Sequence, residues 1–302
     1  MSKSMLFLYA ETPLHAGSGG ALGTVDLPIQ RERVTDYPII QASGIKGRLR
    51  AEMKTTDKLG DDLTTLFGPE TPNASEHAGA LSFGDARLLL FPVRSLAGVF
   101  AWITSIDVLA RFIRELALTG VPAPFDLPKD QNGTLLHPQP TQAWVSGKRN
   151  VIEKQNKIVL EEFAFEVEDR DIKRIAAELV KALPDGPEYA YWKQALTDGL
   201  CILHEDAFRD FVKYATEVQT HIKLNPDTKT VESGALWTAE SLPVDSLLYT
   251  PILAVKSRRK DNKMQDSDIM KKLIEALPAR INFGGDETTG QGFVALKTWG
   301  GA

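Results

Sequence analysis

Two side chains in a glycine-rich loop near the start of the sequence are of types that could do chemistry. His15 opens this loop and Asp26 closes it, with four glycines between residues 14 and 24. Glycines let a backbone wrap around a ligand, an imidazole titrates near neutral pH, and a carboxylate can accept a proton or bind a divalent cation. Two plainer interpretations stay open, because a lone carboxylate is a weak signal: Asp26 could cap a turn before Pro28, and His15 could be a structural imidazole.

A short basic segment, KGRLR, follows this loop and supplies Lys46, Arg48 and Arg50. The pattern predicts that Ser43 caps a helix that continues through residues 46–53. Cations in the first turn oppose the helix dipole, so an external anion such as a phosphate would account for them. Loop and helix together predict a surface that meets a phosphate backbone and places one carboxylate beside it.

The composition bounds the class of protein. The formal net charge is -5, so the chain as a whole is not a basic nucleic-acid-binding domain. Phosphate contacts need only local cation clusters, however, and KGRLR and the segment KSRRK at 256–260 are two of them, although either could also be a solvated face. Cys201 is the only cysteine, which excludes an internal disulfide framework or thiolate metal cluster and fits a reducing cytoplasm. No apolar run approaches the roughly 20 residues of a membrane span, so no membrane partner is expected.

The elements that must position these residues alternate between strands and helices, which predicts an α+β fold. Strands are expected at 5–10, 85–91, 151–165, 200–204, 249–255 and 294–298, and helices at 102–116, 169–183, 205–214 and 264–277. Residues 54–82 are polar and residues 118–148 are rich in Pro and Gly. We therefore expect these two segments to be insertion and loop rather than core.

A protruding hairpin is expected in the last third of the sequence. The β-prone runs 217–224 and 231–237 flank Asn225-Pro226-Asp227, which is a turn signal. Its apolar residues Leu236 and Trp237 would either pack on the body of the protein or slide between bases.

The segment GGDETTGQGF, residues 284–293, is a second glycine-rich run. It lacks the lysine of a P-loop, and a strand rather than the helix of a dinucleotide fingerprint follows it. The pattern predicts a tight turn, whose backbone amides could face phosphates or serve structure alone.

Five motifs, taken in order, resemble the RAMP superfamily of CRISPR-associated RNA-binding proteins. They are TPLHAGSG, SGIKGRLR, FGDARLLLFPVRS, HIKLNPDTKTVESGALWTAESLP and GGDETTGQGF. Within that superfamily they are most similar to the backbone subunits of type III-B Cmr effector complexes. The resemblance implies a single RRM-like (ferredoxin-like) palm domain over residues 1–302, with finger-like insertions at about 54–82 and 118–150 and a thumb hairpin at about 221–243.

The resemblance also implies RNA and protein partners. Copies of the chain would stack head to tail along a guide RNA, beside other Cmr complex subunits, and the thumb would interrupt the duplex between guide and complementary target RNA. Leu236 and Trp237 would form the apolar wedge, while His221 stands where an Arg would be expected. Guide phosphates would be held by basic side chains and by amides of the closing glycine run. The residues concerned are Lys46, Arg48, Arg50, Gly284, Gly285, Gly290 and Gly292.

By the same resemblance, Asp26 matches the acid of the family's catalytic loop, and His15 matches a position near the guide or the active site. RNA carries its own nucleophile, the 2'-hydroxyl, and an unstacked nucleotide can reach the in-line geometry that a regular helix forbids. With an ordinary pKa of about 3.9, Asp26 would be ionised and would suit a divalent metal, Mg²⁺ or Mn²⁺, better than general-base work. The expected activity is cleavage of complementary target RNA at regular intervals by a cytoplasmic ribonucleoprotein.

Two alternatives stay open. The chain could be a non-catalytic scaffold for guide RNA, because scaffold and nuclease would share every motif except a competent loop acid. It could also be a guide-precursor-processing ribonuclease of the same superfamily, although a histidine-centred acid–base set is not evident. Glu232 and Glu240 on the hairpin could approach a target strand, or could be solvated charges.

Overall fold

The fold was analysed in a computed structural model, which describes residues 1–21, 23–73 and 75–300. Within these ranges it contains fifteen strands and seven α-helices, which bears out a mixed α+β fold. Four residues lie outside the described ranges. Leu22 belongs to the predicted glycine-rich loop, Ala74 to the predicted insertion at about 54–82, and Gly301 and Ala302 to the end of the predicted domain.

The strands are β1 (Ser2–Ala10), β2 (Ile39–Ile40), β3 (Leu81–Phe83), β4 (Ala86–Ser95), β5 (Val99–Ser105), β6 (Gln142–Val145), β7 (Val151–Ile152), β8 (Lys157–Leu160), β9 (Phe163–Val167), β10 (Leu200–Leu203), β11 (Glu217–Leu224), β12 (Val231–Ser241), β13 (Leu247–Ala254), β14 (Arg280–Asn282) and β15 (Phe293–Gly300). The helices are α1 (Ala42–Thr55), α2 (Asp62–Phe67), α3 (Ile106–Thr119), α4 (Lys173–Leu179), α5 (Ala190–Gly199), α6 (Glu205–Tyr214) and α7 (Asp266–Ala276). None of the helices in the described ranges is long and apolar enough to cross a membrane.

Strand β1 lies inside the main sheet, between β13 and β15, and pairs with both in antiparallel register. Leu6 lies opposite Thr250 on one side and opposite Thr298 on the other. The strand is buried from Ser4 to Ala10, because helices α3 and α7 pack on it and on β13. This burial explains why its sequence is almost continuously apolar instead of alternating. The end of β1 is thus a rigid point from which the His15 loop departs.

The sheet continues from β13 through β4 and β5 to β10, β6, β9, β8 and β7. The prediction of a helix over 102–116 is wrong in its first four residues, which belong to β5. Trp102 to Ser105 are buried and pair with β10, and Trp102 and Ile103 also pair with β4 on the other side. The pairing of both edges with neighbouring strands overrides the helical spacing, and the helix begins only at Ile106.

Parts of the two segments predicted to lie outside the core are buried in it. Helix α2 buries Leu66 and Phe67, and β6 buries Trp144, all three of which join the hydrophobic core. Each segment contains a short apolar patch among mostly polar or turn-forming residues, so the composition of the whole segment did not indicate that part of it is buried. A helix predicted over 169–183 is also shorter, since α4 ends at Leu179, and α5 was not anticipated.

The expected hairpin is confirmed as the antiparallel pair β11 and β12, separate from the main sheet. Its turn is closed by the side chain of Asn225, whose Oδ1 accepts the backbone N–H groups of Asp227 and Thr228 at 2.9 and 3.0 Å. The base of β12, from Ala239 to Ser241, is buried against the body of the protein. This base, rather than the exposed tip, touches the predicted catalytic loop.

Candidate functional site

Asp26 is fastened to the base of β12 by a reciprocal set of hydrogen bonds with Thr238. The backbone N–H and the Oγ1 hydroxyl of Thr238 both donate to Asp26 Oδ2, at 2.8 and 2.9 Å. The next residue, Leu27, pairs with Ala239 in a parallel bridge. Asp26 is nevertheless exposed, so its carboxylate is both fixed in position and open to a ligand.

The charge of Asp26 follows from these contacts. The two hydrogen bonds from Thr238 stabilise the carboxylate form and hold the pKa of Asp26 below its ordinary value. Asp26 is therefore ionised at neutral pH. A weakly basic carboxylate is a poor general base and a suitable ligand for a cation.

His15 is anchored to the same strand two residues further along. Its Nδ1 lies 2.5 Å from the backbone oxygen of Glu240, and the ring is largely buried. Because a carbonyl oxygen can only accept, Nδ1 carries the proton of this hydrogen bond, and in the Nδ1–H tautomer Nε2 is an acceptor. Strand β12 thus brings together the two predicted catalytic residues, His15 and Asp26.

Glu240 is the buried link between the loop and β12. Its carboxylate forms a salt bridge with Arg31 and accepts the backbone N–H of Ile29 at 3.0 Å and the hydroxyl of Thr216 at 2.8 Å. Both predicted roles of Glu240, contact with a target strand and a solvated charge, are therefore wrong. Glu232, nearer the hairpin tip, pairs with Lys223 at 2.8 Å.

The closing glycine run packs against the His15 segment. The N–H of Gly285 donates to the His15 oxygen at 2.9 Å, that of Gly292 to Pro13 at 2.8 Å, and that of Gly290 within its own turn at 3.0 Å. These three amides are already bonded inside the chain, which contradicts their predicted use as a phosphate cradle. The run instead holds His15 in place.

Gly284 makes the closest contact between the two loops. Its φ is +83°, and an added Cβ would lie 2.1 Å from the backbone oxygen of His15. Only glycine fits both the left-handed backbone and this approach.

We expect Gly284→Ala to destabilise the fold by several kcal/mol and to displace His15, because both strain and a backbone clash are introduced. Gly290→Ala is the matched control, since its φ is +86° but nothing lies within 4 Å of its added Cβ. That control should cost only about 1–2 kcal/mol. Urea unfolding of both variants tests this, and equal losses would show that the contact with His15 is unimportant.

Two of the three predicted phosphate-binding side chains lie on one side of α1. Lys46 donates to the backbone oxygen of Leu81 at 3.0 Å, and Arg50 lies 3.4 Å from Glu70. Burial and the nearby guanidinium groups of Arg50 and Arg258 lower the pKa of Lys46. A cation whose neighbours are also cations is a favourable contact for an anion.

Arg258 was not singled out from the sequence. It belongs to the KSRRK segment, and only the fold brings that segment to Lys46 and Arg50. The sequence shows that a second basic run exists, but only the order of the strands in the sheet shows that this run lies beside α1. We name Lys46, Arg50 and Arg258 the basic surface.

Arg48 points to a different side of α1. Its Nε donates to the backbone oxygen of Asn282 at 2.9 Å, and Nη1 pairs with Glu52 at 3.1 Å. Arg48 therefore ties α1 to the strand that leads into the closing glycine run. The helix itself begins after Gln41, so the prediction of Ser43 as N-cap is wrong by two positions.

Leu236 and Trp237 lie on opposite faces of the hairpin, because consecutive strand residues alternate. Trp237 is 36% exposed and stacks on His221, with ring centroids 5.5 Å apart. Leu236 is 62% exposed and lies opposite Ile222. Leu236 shares its face with Thr238 and hence with Asp26, so the two predicted wedge residues cannot act on the same side.

A divalent metal would find only a partial set of protein ligands here. In the residues that the structure describes, no group of three or more His, Cys, Asp and Glu side chains could hold a metal ion. Mg²⁺ often binds through one or two carboxylates and takes water and substrate phosphates as its other ligands. Asp26 fits such a site, in which the RNA completes the coordination, and does not fit one made by the protein alone.

Comparison with known proteins identifies the class of protein to which this fold and site belong. The family model of the RAMP superfamily matches residues 7–295, and the chain belongs to this superfamily, which confirms the resemblance seen in the five motifs. It is similar to the CRISPR system Cmr endoribonuclease Cmr4 of Pyrococcus furiosus, with 40% identity over 300 residues, 98% of this chain and 95% of the relative.

Two further similarities agree with this. The CRISPR system CMR subunit Cmr4 of Saccharolobus solfataricus is 27% identical over 316 residues, 96% of this chain and 94% of the relative. The crystal structure of oligomeric Cmr4 from Pyrococcus furiosus superposes with a TM-score of 0.73 at 30% identity, covering 99% of this chain and 98% of that one.

Proposed function

We propose that the chain is the repeated backbone subunit of an RNA-guided CRISPR ribonucleoprotein that binds guide RNA and cleaves complementary target RNA at regular intervals. Support comes from the nearly full-length similarity to a Cmr endoribonuclease. The catalytic part of the proposal rests on the exposed carboxylate of Asp26, which Thr238 holds at the base of the hairpin. A cytoplasmic location and assembly with other Cmr subunits and further copies of the chain belong to the same proposal.

The architecture that goes with this function is a single RRM-like palm with finger-like insertions at about 54–82 and 118–150. The hairpin of β11 and β12 would be the thumb. In support, one core cluster contains buried apolar residues from Met5 through to Ala295, and the hairpin stands apart from the main sheet. Copies with such a shape can stack head to tail along one RNA strand.

Guide RNA would lie along the basic surface, with Lys46 as its central contact. Lys46 donates to a backbone oxygen and is flanked by two arginines, so a phosphate would be its first anionic partner. Arg48 would act indirectly, by fixing the end of α1 to Asn282.

Cleavage would use a displaced target nucleotide that reaches Asp26. The 2'-hydroxyl of that nucleotide would lose its proton to water and attack the adjacent phosphorus in line with the 5'-oxygen. The bond from phosphorus to the 5'-oxygen would break, and the products would be a 2',3'-cyclic phosphate and a 5'-hydroxyl that takes its proton from water. Leu236 would keep the nucleotide unstacked, because it lies on the face that leads to Asp26. His15 Nε2 is an acceptor in the neutral ring and would orient the 2'-hydroxyl or a water.

Asp26 would hold a hydrated Mg²⁺ or Mn²⁺. Such an ion would supply charge stabilisation to the phosphate under attack. The role left to the chain is to fix the carboxylate, which Thr238 does with two hydrogen bonds. The lowered pKa of Asp26 supports this role over that of a general base.

The test is a complex reconstituted from this chain, guide RNA and the remaining Cmr subunits. With labelled complementary RNA and Mg²⁺ we expect products at a constant spacing, and chelation of the metal should abolish cleavage without releasing the target. Guide and target binding without any cleavage would favour the non-catalytic scaffold. Cleavage that continues in chelator would remove the metal from the proposal.

A further inference from the structure

A groove between α6 and the turn that joins β8 to β9 combines aromatic side chains with an acidic rim. Its volume is about 830 Å³. Phe165 and Phe211 are buried at its floor, whereas Phe163 and Tyr214 beside them are 61% and 75% exposed. We call this feature the aromatic groove.

The exposed ring of Phe163 is continuous with the buried rings, and Tyr214 lines the same groove. Phe163 packs edge to face on Phe211 with centroids 6.0 Å apart, and Phe165 lies 6.1 Å from the same ring. A contiguous exposed aromatic patch on a rigid floor is typical of a surface that binds another molecule.

The rim of the groove is acidic on both sides. Two carboxylates come from the turn and two from successive turns of α6, and they are Glu161, Glu162, Asp206 and Asp210. Two guanidinium groups partly offset them, since Arg209 lies 3.1 Å from both aspartates and Arg94 lies 2.8 Å from Glu161. Lys213 also lies beside the groove, with Nζ 5.6 Å from the centre of the Tyr214 ring, but it is paired with Asp36 at 2.8 Å. Four carboxylates against the two arginines therefore leave an excess of negative charge.

The negative charge of the rim indicates which kind of molecule would bind in the groove. An RNA would be repelled, because stacking platforms for nucleic acids lie in positively charged grooves. The hairpin tip of a second copy is apolar and exposed, but its lysines 223 and 229 are matched by Asp227 and Glu232, so it brings no net positive charge. A protein segment with an apolar anchor flanked by Lys or Arg complements both the rings and the rim.

We propose that the aromatic groove docks such a segment of a different protein subunit of the same ribonucleoprotein. The inference rests on the proposed function, because it takes the chain to be part of a complex with several kinds of subunit. Phe163 and Tyr214 would be the anchors of the contact, and the carboxylates would set its specificity.

The experiment uses the reconstituted complex with guide RNA and native mass spectrometry as the readout of subunit content. The double variants Phe163→Ser/Tyr214→Ser and Asp206→Lys/Asp210→Lys remove the anchors and reverse the rim. Tyr191→Ser, which changes a tyrosine that is 60% exposed on α5, and Glu275→Lys on α7 are the matched controls.

We expect both groove variants to weaken the binding of one other subunit by roughly tenfold or more, with guide binding and the number of copies of the chain unchanged. Retention of every other subunit would overturn the proposal. Loss of contacts between copies would also overturn it, by showing that the occupant is a second copy. A wild-type complex that holds all subunits but cuts no target would contradict the proposed function instead, and would leave the subunit measurement valid.

Discussion

Replacing Asp26 by Asn is expected to slow target RNA cleavage at least about 100-fold while guide binding stays unchanged. The amide keeps an oxygen that can accept both hydrogen bonds from Thr238, so the loop should keep its place. The substitution removes the negative charge, which a metal ligand and a general base both need. Single-turnover cleavage of labelled target RNA in Mg²⁺ by the reconstituted complex measures the effect.

Two further variants show whether the effect belongs to this carboxylate. Asp57→Asn makes the same change at an exposed acid in the turn after α1, away from the site, and should leave the rate unchanged. Thr238→Val keeps the bond from the backbone N–H to Asp26 but deletes the two bonds that the hydroxyl makes, one donated to the Asp26 carboxylate and one accepted from the Asp26 N–H. We expect a smaller loss, on the order of tenfold, from poorer positioning. A wild-type rate in the Asp26→Asn complex would assign the chemistry to other residues.

Replacing Lys46 by Ala is expected to weaken guide RNA binding, and more strongly at low salt than at high salt. Each lysine that neutralises a phosphate releases counterions, so the slope of log affinity against log salt should fall by about one. The loss should not reflect unfolding, because Lys46 donates only to the Leu81 backbone oxygen within the described part of the chain. Fluorescence anisotropy of a labelled guide over a salt series provides the measurement.

The control for Lys46 is Lys271→Ala, which removes an exposed lysine of α7 that pairs with Glu275 at 3.9 Å. Its salt slope should equal that of the wild type, whereas Arg258→Ala should behave like Lys46→Ala. If affinity for the guide is the same at low and high salt after the Lys46 change, the basic surface does not bind the guide.

Strongly patterned segments of the fold were predictable from the sequence. The apolar run of β1, the hairpin around Asn225-Pro226-Asp227 and helix α6 were all expected, since each is specified by its own residues. The first residues of β5 were not, because Trp102 to Ser105 have a spacing that suits a helix. Only neighbouring strands on both sides make them a strand.

The residues of the candidate site could be predicted from the sequence, but most of their contacts could not. His15, Asp26 and Lys46 stand in recognisable motifs, so their selection needed no structure. The partnership of Asp26 with Thr238 joins residues 212 positions apart, and nothing local in either segment specifies it. The composition of the closing glycine run suggested an anion cradle, whereas the amides of Gly285 and Gly292 are bonded to His15 and Pro13 and that of Gly290 is bonded within its own turn.

The attachment of both His15 and Asp26 to β12 has a consequence for how this loop can evolve. Both are bonded to a single strand, His15 at Glu240 and Asp26 at Thr238, two residues apart. An insertion of one residue in β12 between the two anchors would turn the buried carboxylate of Glu240 to the opposite face of the hairpin and break its bonds to Ile29 and Arg31, which follow Asp26. The number of residues between Thr238 and Glu240 is therefore a constraint on this site.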